Sequence, residues 1–207
     1  MDFIRNFPFF SIILCMFSGI ISSVLDGKKA RNICFACVSV VMVLSAAVLF
    51  YTVKTGTAFT YMMGHFPAPW GNEIRAGILE GVLATTFSVI LLLSLVSAYH
   101  RTAEDIEETK LNLFYLLIDL LLSSLLAIIY TNDLFTAYVF VEINTIAACG
   151  LIMIRQIGRT FGAALRYMVM SLIGSGLFLI GLSLLYTLSV FSLALILMFQ
   201  KRTSIPY

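Results

Sequence analysis

Two carboxylates lie inside apolar stretches of this sequence, and an acid in such a setting is a candidate for binding and releasing a proton or an ion. Glu142 comes eight residues after Leu134, where one stretch begins, and Asp119 comes eight residues after Leu111, where another begins. An ionised side chain near the centre of a bilayer costs at least about 2.5 kcal/mol on insertion scales. We therefore interpret Glu142 and Asp119 as functional residues.

The helical face that carries Glu142 also carries hydroxyl groups and small residues. Phe135, Tyr138, Glu142, Thr145 and Cys149 recur at steps of three and four residues, the spacing of one helix face. Such a stripe faces protein or water rather than lipid, and Glu142 lies about 12 Å from the end of its stretch. The alternative is a protonated, hydrogen-bonded carboxyl group that serves helix packing only.

Asp119 shares a helix face with Tyr115, Ser123 and Tyr130. Only three residues join its stretch to that of Glu142, so the two helices are antiparallel neighbours, and the carboxylates should differ in depth by about 5 to 8 Å. Two carboxylates that close in a low dielectric would not both ionise, so at least one would hold a proton. The spacing predicts a two-step proton path, or alternatively an Asp119 that is only hydrogen-bonded to a neighbouring helix.

Other chemistry is weakly supported. Arg166 lies about 8 Å inside the last apolar stretch, where it can extend to the membrane surface or pair with one of the two acids. Cys34 and Cys37 have metal-like spacing but stand without a second ligand pair. We find no nucleotide fingerprint, no Ser-His-Asp pattern and no cysteine set for an iron–sulfur cluster. The sequence thus predicts no metal and no cofactor, and it leaves open whether the chain is a non-catalytic subunit of an enzyme. Any transport would be driven by an ion gradient or by partner subunits.

The composition identifies the solvent that surrounds these residues. Of the 207 residues, 60% are hydrophobic and 12% are charged, and the mean hydropathy is +1.01. A globule of this composition could not cover its surface in water, which excludes a soluble enzyme. The net charge of +2 is too small for a nucleic-acid partner. The composition therefore predicts that these apolar stretches lie in a lipid bilayer.

Apolar stretches of about 20 residues, the length that spans a bilayer, predict an all-α polytopic bundle in a single domain. A sixth stretch is twice that length, so we expect one span, a break after Tyr186 and a short C-terminal helix over Leu188–Phe199. The predicted spans are Phe7–Leu25, Ile33–Val53, Ile78–Tyr99, Leu111–Tyr130, Leu134–Ile154 and Phe161–Tyr186.

The connections predict orientation and local structure. Seven Lys and Arg residues follow spans one, three and five, against three on the other side, so the N-terminus should face outward from the cell or inner membrane. The outer connection Lys54–Gly77, rich in Pro and Gly, predicts an irregular or hairpin-like cap. In the turn 131–133, Asn132 or Asp133 should cap the fifth span.

The segment Asn132-Asp-Leu-Phe-Thr-Ala-Tyr-Val-Phe-Val-Glu142-Ile-Asn-Thr-Ile resembles the fifth-helix signature of the antiporter-like membrane subunits. That family comprises the proton-pumping subunits of respiratory complex I, the D-type subunit of Mrp antiporters and their counterparts in membrane-bound hydrogenases. The outer-loop motif Gly64–Gly71 and the run Ala164–Gly176 are similar to the same family. The loop sequence is most similar to the Mrp D-type and hydrogenase branch. The resemblance covers residues 61–186.

The resemblance implies a half-channel in which Glu142 pairs with a lysine on a broken seventh helix, while redox chemistry in a peripheral arm drives protons or sodium. It also places Arg166 at the basic position that begins the sixth helix, as a modulating cation. The five lysines of this sequence all lie outside the predicted spans, so a partner subunit would have to supply the missing lysine. The competing interpretation is a truncated, non-conducting structural or assembly subunit.

Overall fold

The computed structural model describes residues 4–62, 73–99, 102, 106–154 and 158–203. Six helices in these ranges are long and apolar enough to cross a membrane, which confirms the predicted polytopic helical bundle. The helices are α1 Phe7–Val24, α2 Gly27–Thr55, α3 Ile78–Ala98, α4 Leu111–Tyr130, α5 Leu134–Met153 and α6 Gly158–Thr203.

Helix α4 is the centre of the bundle and packs against α1, α2, α3 and α5. In the most apolar segment of each helix, the share of residues buried inside the protein is 56% in α4, 17% in α5 and 6% in α6. Helix α6 packs only along α5 among the described elements with substantial contacts. The core is therefore a four-helix unit of α1–α4, and α5 and α6 are added to one side of it.

Small residues allow α1 to approach α4 closely. The buried face of α1 consists mainly of hydroxyl, thiol and glycine positions, which let helix backbones come together in a membrane. A Cβ added at Gly19 would lie 3.4 Å from the backbone oxygen of Leu116 in α4. The buried positions of α1 are Pro8, Ser11, Ile12, Cys15, Ser18, Gly19 and Ser22.

The predicted outer cap is a β-hairpin in its described part. Strands β1 Phe59–Met62 and β2 Glu73–Ala76 pair antiparallel, with Phe59 opposite Ala76. Ile74 forms an isolated bridge to Thr131, and the Asn132 backbone N–H donates to the Glu73 carbonyl at 2.9 Å. The hairpin is thus tied to the α4–α5 turn, while the Gly64–Gly71 motif lies outside the described residues.

The predicted break after Tyr186 is wrong, because α6 is continuous from Gly158 to Thr203 and leaves no separate helix over 188–199. Neither Gly nor Pro occurs between Gly181 and Pro206, so no residue there interrupts helical hydrogen bonding. Three hydroxyl groups in this segment donate to carbonyls of the preceding helical turn. These donors are Thr187, Ser189 and Ser192.

Candidate functional site

Asp119 is completely buried between three helices of the core. The Ser18 hydroxyl of α1 donates to its Oδ2 at 2.6 Å, and the Cys34 thiol of α2 faces the same carboxyl group. A Cβ added at Gly19 would lie 3.5 Å from the Asp119 Cβ, so the glycine lets α1 reach this position. The second oxygen, Oδ1, is enclosed without a hydrogen-bond partner in the described structure.

Glu142 occupies the half-buried face of α5 that lies beside α6. One turn before it, Tyr138 stacks on Phe178 with ring centroids 6.2 Å apart, and one turn after it the Ser171 hydroxyl approaches that of Thr145 at 3.4 Å. The Glu142 Oε1 is enclosed, and none of the described residues forms a hydrogen bond with it. Two residues of the predicted stripe, Tyr138 and Thr145, therefore contact α6, while Phe135 at its start is 53% exposed.

A groove between α5 and α6 lies at the depth of Glu142 and encloses a cavity of about 360 Å³. On α6 its wall is built from small residues, and a Cβ added at Gly174 would meet nothing within 4 Å. The groove is therefore wide enough there to accept further side chains. Its lining consists of Ala137, Tyr138, Val141, Ser171, Gly174, Ser175 and Phe178.

The structure does not bring the two carboxylates together. Helix α5 contacts α4 through Asn144, whose Nδ2 donates to the Ser124 hydroxyl at 3.1 Å, and through Gly150, where an added Cβ would lie 2.9 Å from Leu117. Asn144 follows Glu142 by two residues, which turns the two side chains about 160° apart around the helix. Glu142 thus points away from α4, and the body of α5 separates it from Asp119.

Arg166 meets neither acid. The contacts between α5 and α6 set a register that places Arg166 opposite Gly150, about 12 Å along the helix axis from Glu142. Its side chain is exposed, and within the described ranges no ion pair joins it to Glu142 or Asp119. Glu80, a second acid near a span boundary, accepts from the Gly77 N–H at 3.0 Å and so caps the start of α3.

Asp133 caps α5, as predicted for the turn. Its carboxylate accepts from the Thr136 backbone N–H at 2.9 Å and hydroxyl at 2.7 Å, and from the Tyr186 hydroxyl of α6 at 3.0 Å. Burial raises the pKa of this carboxyl, but the hydrogen bonds from Thr136, Tyr186 and Phe135 outweigh burial and hold the pKa below its ordinary value. Asp133 therefore joins the turn, α5 and α6 at the hairpin end of the bundle.

The opposite end of the bundle holds a polar cavity of about 570 Å³ that the sequence did not indicate. It lies where α1 ends and where α2 and α4 begin. Arg31 and Tyr115 line its inner part, and the Arg31 guanidinium also stacks 4.2 Å from the Tyr99 ring centroid. The remaining lining residues are Val24, Leu25, Asp26, Gly27, Lys28, Glu108, Thr109, Leu111 and Asn112.

Sequence reasoning missed the partners of Asp119. The signal was present in α1, where Ser11, Cys15, Ser18 and Ser22 recur at helical spacing and mark a face that must be buried. Sites on the connections, including His65 and His100, lie outside the described residues. Among those that the structure does describe, no group of three or more His, Cys, Asp or Glu residues is arranged to hold a metal ion.

Comparison with known proteins gives a consistent result. A sequence profile of the family described as NADH:quinone oxidoreductase/Mrp antiporter, TM, matches residues 131–204. NADH-quinone oxidoreductase subunit N of Desulforudis audaxviator (strain MP104C) is 32% identical over 161 residues, which cover 77% of this chain and 31% of the relative. Putative antiporter subunit mnhD2 of Staphylococcus aureus (strain JH9) is 29% identical over 161 residues, 78% of this chain and 32% of the relative.

Two solved structures share the fold. A chain of the Mrp complex from Dietzia sp. DQ12-45-1b has a TM-score of 0.79 at 19% identity, over 91% of this chain and 35% of its own length. A chain of the membrane-bound sulfane sulfur reductase, an archaeal respiratory membrane complex, has a TM-score of 0.77 at 20% identity, over 90% of this chain and 37% of its own. The chain spans about a third of the length of the curated relatives it matches.

Proposed function

Because the chain belongs to the antiporter-like membrane subunits of complex I, Mrp antiporters and membrane-bound hydrogenases, we propose that it contributes a half-channel for protons or sodium to a multi-subunit membrane complex. Glu142 is the ion-binding carboxylate of this half-channel. The complex lies in the cell or inner membrane.

The observation that supports this proposal is the setting of Glu142. It is the ninth residue of the 20-residue helix α5, and its Oε1 is enclosed without a hydrogen-bond partner among the described residues. Tyr138, one turn before it, lines the groove between α5 and α6. Most buried polar atoms in folded proteins have a hydrogen-bond partner, and an acid at this depth costs about 2.5 kcal/mol or more. A carboxyl group kept for packing alone would have no reason to leave an acceptor unsatisfied.

A cation from outside these 207 residues completes the site. Lys28 and Lys29 lie in the first turn of α2, Lys54 lies in its last turn and Lys110 precedes α4, so none of them reaches the depth of Glu142. The groove beside Gly174 is the space into which a lysine-bearing helix from outside these residues would pack. Arg166 is always charged, and from about 12 Å along the axis it biases the site without pairing with it.

Replacement of the acid tests the proposal in the intact complex. Glu142→Gln is nearly isosteric, so assembly should be retained, while cation-dependent dissipation of a pH gradient in inverted membrane vesicles should be abolished. The matched control is Glu107→Gln, which removes an exposed carboxylate paired with Lys110 and should leave transport unchanged. Transport at the wild-type rate in an assembled Glu142→Gln complex would refute the half-channel and favour a structural subunit.

The chain on its own offers a second test. Reconstituted without partners, it should insert into vesicles and catalyse no cation/proton exchange, because none of the lysines whose side chains the structure describes lies near Glu142. Exchange should appear only when a subunit that carries an intramembrane lysine is added. Robust exchange by the isolated chain would contradict the requirement for a second cation.

The N-terminus faces outward in this proposal, since the excess of basic residues lies at the other end. Thr60 on β1 and Thr109 before α4 are exposed at opposite ends of the bundle. A cysteine at Thr60 should react with a membrane-impermeant thiol reagent added to whole cells, and one at Thr109 should react only after lysis. The reverse pattern would invert the orientation.

A further inference from the structure

The polar cavity at the α1–α2 end continues inward as a file of polar groups that ends at Asp119. Tyr115 lies one turn before Asp119 on α4, Arg31 lies one turn before Cys34 on α2, and Ser22 lies one turn after Ser18 on α1. The contacts of Asp119 with Ser18 and Cys34 set the register of the three helices. The polar residues nearest the cavity therefore form a layer between it and the carboxyl group.

Several polar atoms in this file are enclosed without hydrogen-bond partners in the described structure. They are Ser22 Oγ, Arg31 Nε and Asp119 Oδ1. A single unsatisfied group in an apolar core costs on the order of 1–3 kcal/mol, so three in one file are not explained by packing. A proton would be passed by rotation of the Ser22 hydroxyl and by exchange with water from the cavity, whereas Arg31 keeps its proton and only lines the route.

Toward the hairpin end, apolar layers separate Asp119 from the next enclosed hydroxyl groups, those of Ser45 and Tyr130. The next layers are apolar and fully enclosed, with Val41 and Leu126 at 0% exposure and Leu122 at 1%. Ser123, the next hydroxyl on α4, already donates to the Ile12 carbonyl at 3.1 Å. Asp119 is thus open toward one end of the bundle only.

We propose that Asp119 is a second proton-binding site of the chain, which exchanges protons only through the cavity lined by Arg31 and Tyr115. A proton from the cavity binds the carboxylate and leaves by the same route. One carboxylate and one hydroxyl are too few oxygen ligands for a metal cation, which takes about six. The proposal is independent of the half-channel, because α5 stands between Asp119 and Glu142.

All three helices around Asp119 contribute polar side chains that face its carboxyl group or lie between it and the cavity. Helix α1 contributes Ser18 and the Cys15 thiol, α2 contributes the Cys34 thiol, and Arg31 and Tyr115 lie one turn nearer the cavity. Among the described residues, none of them forms an ion pair with Asp119. The carboxyl group has hydrogen-bonding neighbours but no counter-ion, which is the setting of a group that carries its own proton.

Infrared spectroscopy tests whether Asp119 holds a proton. The full chain in lipid nanodiscs at neutral pH should show a carbonyl band of a protonated carboxyl group that shifts in D₂O, disappears in Asp119→Asn and persists in the control Glu142→Gln. Should Asp119→Asn misfold, carbon-13 labelling of aspartate in the unmodified chain gives the same answer. The other aspartates, at 2, 26, 105 and 133, lie outside the spans, so only Asp119 would give a shifted band.

Thiol modification tests the route. Thr109 is exposed and lines the cavity, so a cationic methanethiosulfonate on Thr109→Cys should slow the D₂O shift of the band by about tenfold, a barrier increase of about 1.4 kcal/mol. The same reagent on Thr60→Cys, at the hairpin end, should have no effect. If the band is absent, or if neither Asp119→Asn nor the aspartate label changes it, Asp119 is not a proton-binding site. If the reagent has the same effect on Thr109→Cys and Thr60→Cys, or no effect on either, protons do not enter through the cavity.

Discussion

The two intramembrane acids lie in opposite kinds of surroundings. Asp119 is enclosed by α1, α2 and α4 and receives its hydrogen bond from within the chain. Glu142 lies at the edge of the molecule, beside α6, whose substantial contacts among the described elements are with α5. A three-residue turn makes α4 and α5 neighbours, yet the rotation of each helix decides what its acid meets. Asp119 is therefore surrounded by helices of this chain, whereas Glu142 has a described helix on only part of its surroundings.

The largest difference between the core and α6 is expected when a large side chain is shortened to alanine in each of them. Leu126→Ala in the sealed core, where Leu126 has 0% exposure, should lower the free energy of unfolding in detergent micelles by about 2–5 kcal/mol, since the cavity cannot collapse fully. Leu177→Ala on α6, where Leu177 is 65% exposed, should change it by less than about 0.5 kcal/mol. Equal losses would show that α6 belongs to the folding core.

Two glycines provide a finer test of the same difference. A Cβ at Gly81 of α3 would lie 3.1 Å from the Leu49 Cα, and because backbone must move, Gly81→Ala should cost about 1–3 kcal/mol in denaturant titrations. Gly174→Ala meets nothing within 4 Å and should leave the isolated chain unaffected. In the native complex, however, Gly174→Ala should reduce the yield of assembled complex if another helix fills the groove. Unchanged assembly would argue that the groove faces lipid.

The smallest expected effect concerns Asp133, which joins α5 to α6. Tyr186→Phe removes one hydrogen bond to the carboxylate, so α6 should lose about 0.5–1.5 kcal/mol of docking energy at neutral pH. The hydrogen bonds lower the pKa of Asp133, so their contribution is complete above the ordinary aspartate pKa and is lost as the pH falls through the lowered value.

A carbon-13 titration of the Asp133 carboxyl in micelles measures this effect directly. The midpoint should rise in Tyr186→Phe, because one of the contacts that favour the ionised form is missing. Tyr167→Phe, on an exposed position of the same helix, should leave the midpoint where it is. A midpoint that moves equally in both variants would mean that the Tyr186 contact is not what holds α6.

Much of the fold follows from the sequence because the bilayer imposes length and polarity directly. The number of spans, the hairpin-like cap and a helix cap at Asn132 or Asp133 all follow from local pattern. The break in α6 was inferred from bilayer thickness alone, although no Gly or Pro supports it. The predicted two-step path from Asp119 to Glu142 rested on their similar depth in the membrane and not on the direction in which each helix turns its acid. That direction is set by packing partners such as Ser124 and Leu117, which belong to another helix.

The three-residue turn between α4 and α5 also bears on how the chain enters the membrane. So short a connection cannot leave one helix in lipid and the other in water, so the two must insert as one hairpin. At about 0.3–0.6 kcal/mol each, the thirteen Leu, Ile and Phe residues of α4 favour transfer by about 4–8 kcal/mol, more than the roughly 2.5–3.5 kcal/mol opposed by Asp119. The surplus carries the more polar α5, with its glutamate, into the bilayer during biogenesis.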